Sequence, residues 1–151
     1  MGLTLSFVTG SSTIILDALK SDDYDLFYDN IIKEADFSLH LSPRDLQILS
    51  LCAAEFNAKS PLNLREQMAP LIDQNDKGLF SIEEKWVYYM SAVPLEQSKV
   101  LCNRWFEEMN EKYPKEKIVL TEEANKAVED LISICQFCID NKKELLHYWT
   151  L

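Results

Sequence analysis

The twelve residues DQNDKGLFSIEE, Asp73 to Glu84, decide how the middle of this chain is read. Against the calcium-loop pattern D-x-[DN]-x-[DN]-G-x₅-E they place Asp73 first, Asn75 third, Gly78 sixth and Glu84 twelfth. Asp73, Asn75, the Leu79 carbonyl, Ser81 and a bidentate Glu84 would then supply oxygens to an ion. The fifth position holds Lys77, which removes one oxygen and sets a cation beside a divalent one. At an effective dielectric of about 20 and a separation of about 5 Å, that pair repels by roughly 7 kcal/mol before the lysine swings aside. No second loop of this type occurs in the chain to pair with it. The competing reading is a junction between two helices. Gly78 then ends the junction with a positive φ, and Ser81-x-x-Glu84 is a capping box that opens the next helix. The junction is the expectation; calcium binding is the alternative.

Working outward, the flanks read as helical. Leu71-Ile72 before the loop and Trp86 after it give a layout that resembles an EF-hand over these twelve residues alone. Upstream, a short helix is expected from Leu64 to Ile72, tightened at Pro70. Ser42-Pro43-Arg44-Asp45 opens a longer helix running to about Asn57. Ser42 caps it, Pro43 suits its first position, and Asp45 favours its dipole. Downstream, Ile82, Trp86, Tyr89 and Val93 form a stripe that Pro94 offsets. Leu101, Trp105 and Met109 continue the pattern to about Lys112.

Thr121 caps a last helix with Glu122 and Glu123 in its first turn, and Val128, Leu131, Cys135 and Cys138 line one side. Alternation marks strands at Leu3–Val8, at DFSLHL (Asp36 to Leu41) and at LLHYWTL (Leu145 to Leu151), with KIVL (Lys117 to Leu120) as a further short one. A short helix carrying Ile14, Ile15, Ala18 and Leu19 follows the first strand, and another is expected from Asp22 to Glu34. These elements make one α+β domain over residues 1–151, predominantly helical, with about six or seven helices around a small sheet of N-terminal, middle and C-terminal strands.

Composition bounds the function classes. With 47% hydrophobic residues and only three glycines, the chain can fill a core without disulfides or metals. The formal charge of −10 disfavours nucleic acid, whose phosphates are held by Lys and Arg, and leaves a basic protein as the partner that charge favours. No run is long and apolar enough for a membrane helix, and no signal peptide is expected at the start. Gly2 and Ser6 have the spacing of a myristoylation signal, but Leu3, Leu5 and Phe7 alternate like a half-buried strand, and acylation needs a free end. A cytoplasmic protein with no cofactor is expected.

Four constellations remain beside the calcium pattern. Asp17, Asp22, Asp23, Asp25, Asp29, Glu34 and Asp36 stand against only Lys20 and Lys33 in the first forty residues, half of the chain's excess charge. Tyr24 and Tyr28 are four apart and share a helix face bracketed by Asp25 and Asp29. Asp22, Asp23, Tyr24, Asp25, Tyr28 and Asp29 are therefore the expected contact face for a basic protein, as an inhibitor, an immunity-type factor or an adaptor would need. The competing account is a solvated helix face. Should the chain be an enzyme or a metal protein instead, its only two histidines, His40 and His147, would carry the chemistry with Asp36 as orienter. Cys135-x-x-Cys138 lies deep in a helix, so it and the isolated Cys52 and Cys102 read as buried apolar thiols. The Gly10-Ser11-Ser12-Thr13 turn lacks the lysine and second glycine of a phosphate loop and reads as a plain cap.

Overall fold

Five antiparallel strands form one sheet in the order β2-β1-β5-β4-β3. The computed structural model describes residues 3–151; Met1 and Gly2, and with them the acylation pattern at Gly2, lie outside the described residues. In chain order the elements are β1 (Thr4–Gly10), α1 (Ser12–Lys20), α2 (Tyr24–Asp29), β2 (Ile31–Asp36), α3 (Pro43–Cys52), α4 (Ala54–Asn57), β3 (Met68–Asp73), β4 (Lys77–Ile82), α5 (Glu84–Ser91), α6 (Ser98–Lys112), α7 (Glu122–Asn141) and β5 (Leu146–Thr150). Short 3-10 turns at Leu64–Gln67 and Leu95–Gln97 connect them. The fold is α+β and predominantly helical. No helix among the described residues is long and apolar enough to cross a membrane.

Antiparallel pairing puts directly opposed residues on the same face, so the register sorts the two sides. Phe7 faces Ala35 and His147, and His147 faces Phe80. These residues look toward α3, α5, α6 and α7, where Trp86 stacks on Phe7 at 5.6 Å and Trp105 meets Phe37 at 6.0 Å. The indoles find acceptors as burial demands: Trp86 Nε1 donates to Ser50 Oγ and Trp105 Nε1 to Asp45 O, each at 2.8 Å. On the other face Val8, Leu79, Leu146 and Tyr148 pack only against α1 and α2, through Ile15, Ala18, Leu19 and Phe27.

The predicted strand at Leu3–Val8, the helix at Pro43–Asn57, the last helix and the terminal strand are all present with small shifts of boundary. Five expectations are corrected. The helix of Asp22–Glu34 stops at Asp29, because Asn30 caps it: its N–H bonds Phe27 O and its Nδ2 bonds Leu26 O. Ile31–Asp36 then pairs with β1, so the strand lies five residues before DFSLHL, whose backbone leaves the sheet at Asp36.

Leu64–Ile72 is not a helix either. After one 3-10 turn it becomes β3, where Pro70 is tolerated because β3 is an edge strand. The opening stretch is therefore neither a calcium loop nor a helix junction but a β-hairpin, with Asp73 opposite Gly78 and Gln74 N–H on Lys77 O at 2.9 Å. Gly78 has no positive φ; a Cβ there would lie 2.3 Å from the Trp149 indole nitrogen, so the crossing of Trp149 requires glycine. Ser81 lies inside β4 and caps nothing, and α5 begins after Glu83. KIVL is not a strand. Asn110 stands in for a strand partner, exchanging bonds with the Ile118 N–H (2.9 Å) and carbonyl (3.0 Å).

Candidate functional site

α2 and the turn before it form a ledge over the thinner side of the sheet. Asp22 enters with φ 55, and its carboxylate accepts from Lys77 Nζ at 2.8 Å. That ammonium also donates to Leu19 O at 2.7 Å, at the end of α1, and the lysine is only 5% exposed. The Asp22 bond raises the Lys77 pKa, against burial, which lowers it. Lys77, the residue that spoils the calcium pattern, thus bolts the ledge to β4. Asp23 is the N-cap of α2 and accepts from Leu26 N at 3.1 Å.

The remaining four residues face outward. Tyr24 is 40% and Tyr28 49% exposed, and Asp25 and Asp29 are exposed and in no ion pair among the described residues. Tyr28 is held by its hydroxyl, 3.2 Å from that of Tyr148, which in turn donates to Glu34 Oε1. Its ring therefore stands at a fixed angle, in edge contact with Phe27 at 5.2 Å. All six expected contact residues are exposed, and two of them, Asp22 and Asp23, also hold the ledge in place.

The structure does not gather His40, His147 and Asp36. Asp36 pairs opposite Ser6, on the Tyr148 face, whereas His147 pairs opposite Phe7 on the other. His40 is exposed on the loop after β2 with φ 60, and the Asp36 carboxylate accepts from Ser38 N at 2.9 Å. His147 is buried and stacked on Phe7 at 4.5 Å, with Nδ1 2.9 Å from Ser6 O. Burial lowers its pKa to about 4, the Ser6 bond opposing only in part.

All four cysteines are free and buried, and desolvation pushes the thiols up, Cys102 to about 12. Along the hairpin, Ser81 Oγ donates to Glu144 and Leu79 packs inward. Among the described residues no three His, Cys, Asp or Glu side chains converge as a metal site. At the Gly10 turn, Ser11 is the N-cap of α1 without a side-chain bond, and a Cβ on Gly10 would meet Asn30 O at 2.0 Å. That glycine serves chain packing.

One feature was missed in the sequence. A cavity of about 600 Å³ lies between α3, the 3-10 turn at Leu64–Gln67 and the sheet, lined by Arg44, Arg65, Gln47, Asn63, Tyr113 and His147 together with apolar side chains. Arg44 belonged to a capping signal and Arg65 to an expected helix, so nothing in their spacing related them to His147. Comparison with protein-family models, with curated proteins and with solved structures finds no match.

Proposed function

We propose that this protein acts by binding another protein, a basic one, through the ledge of α2. The observation that carries the reading is the pair of half-exposed rings of Tyr24 and Tyr28, flanked by Asp25 and Asp29 outside any ion pair among the described residues. Tyrosine rings offer large contact area for few rotatable bonds, and unpaired carboxylates beside them attract and select a cationic surface. Holding Tyr28 through Tyr148 lowers the entropy lost on docking. The formal charge of −10 steers in the same direction from farther away. An inhibitor, an immunity-type factor or an adaptor is the concrete form of such a protein.

A partner captured from the native lysate at low salt supplies the test. Its association rate is measured against ionic strength for the wild type and for Asp25→Asn/Asp29→Asn, which spares the fold-holding Asp22 and Asp23. The rate at low salt should fall about tenfold and its salt dependence should flatten. A variant that associates as fast as the wild type removes the ledge from consideration.

A further inference from the structure

The chain has three arginines. Arg104 is surrounded by Glu55, Glu107 and Glu108. Arg44 and Arg65 both line the cavity behind His147, and neither is in an ion pair among the described residues, in a chain whose acids outnumber its bases. Asp45, next to Arg44 in sequence, is buried and engaged elsewhere, accepting from Ser42 N at 2.9 Å, Ser42 Oγ at 3.3 Å and Tyr113 OH at 3.0 Å. Two arginines that line one partly apolar cavity, outside any ion pair among the described residues, have the chemistry that recognises an oxyanion.

The inner wall adds a second, independent feature. His147 is 2% exposed and lines the same cavity. Because Ser6 O can only accept, Nδ1 carries the ring proton, and Nε2 is left as a lone pair. Nε2 is not among the buried atoms left without a partner, so it is reachable from the cavity, and a ligand that brings a hydroxyl or amine can donate to it there. Leu46, Leu64 and Met68 supply apolar wall between the two polar ends, and the volume lies in the range of small-molecule sites.

We infer that this cavity binds a small organic oxyanion, a carboxylate or phosphate ester, that also carries a hydroxyl or amine: the anion on Arg44 and Arg65, the donor on His147 Nε2. The site is on the sheet face opposite α2 and is independent of the ledge.

The probes are 3-hydroxybenzoate and 3-hydroxyphenyl phosphate, with benzoate (no donor) and 3-hydroxybenzyl alcohol (no charge) as their counterparts. They are titrated into the ¹⁵N-labelled protein, with binding read from amide, arginine side-chain and histidine ring signals. At least one hydroxylated anion should saturate, with shifts confined to the cavity lining and a move of the His147 Nε2 resonance; which of the two does so assigns carboxylate or phosphate. Benzoate and the alcohol should bind about tenfold or more weakly. Arg44→Gln and Arg65→Gln, both at exposed positions, should each weaken the hydroxylated anion by about tenfold or more. Saturation by neither hydroxylated anion overturns the proposal, as do equal affinity for the neutral alcohol or unchanged affinity in the double arginine variant. Equal affinity for benzoate overturns the role of His147. The comparison among probes on the wild-type protein stands even where a variant fails to fold.

Discussion

The two faces of the sheet differ in depth, and the difference decides what each can offer. Among the described residues, thirty buried hydrophobic side chains fill the side of α3 to α7, against nine on the side of α1 and α2. The deep side can bury a histidine, strip it of its proton and still leave a cavity beside it. The shallow side has too little material to cover α2, whose six residues bury only Phe27. Its tyrosines stay half-exposed for lack of anything to sit beneath. Recesses come from thick layers and ledges from thin ones.

The largest expected effect sharpens this contrast. Phe7 sits at the centre of the deep side between Phe37, Trp86 and His147. Phe7→Ala should cost about 3–5 kcal/mol in chemical denaturation, since so many neighbours are fixed around the void. A loss under about 1 kcal/mol would mean that this layer relaxes as readily as the shallow one.

Next comes pH. His147 has its folded pKa lowered from 6.5 to about 4, so its neutral form is favoured by folding. The stability it adds is fully present above about pH 6.5 and is lost as pH falls, because the unfolded chain takes up the proton first. Between pH 6.5 and 5 the loss should be about 1.6 kcal/mol, the slope approaching 1.36 kcal/mol per pH unit once the unfolded histidine is fully protonated. Denaturant midpoints measured across that interval check it, with His147→Gln showing a shallower slope. A wild-type midpoint that does not move breaks the claim that the deep side keeps this ring neutral.

The smallest effect belongs to the ledge. Tyr28→Phe removes one hydroxyl contact with Tyr148, while Tyr148 keeps Glu34. The cost should be about 0.5–1.5 kcal/mol. Near-zero cost would show that the ring is not held.

What the sequence made legible follows the same division. β1, α3, α7 and β5 carry regular apolar periods because each buries a full face. β2 and β3, the two edge strands, share one burial pattern in which only the fifth residue, Ala35 or Ile72, is buried. A strand covered at a single position shows no alternation, and both were read as helix. Lys77 misled in the opposite direction, since a lysine at a loop-like position gives no hint that it will be buried. On the ledge, the tyrosine spacing gave the exposure of Tyr24 and Tyr28, but that Asp22 also holds the ledge in place needed the position of Lys77. The cavity was illegible because Arg44, Arg65 and His147 come from distant segments that share no period.

The central position of β5 has a consequence for how the chain is made. β1–β2 and β3–β4 are each complete as local pairs, yet they touch the rest of the sheet only through Leu146–Thr150, which lies beyond every other element. On the ribosome, two half-sheets with open inner edges must wait until the keystone strand emerges. Assembly is therefore obligatorily late, and both proposed binding regions come into being in that same final step.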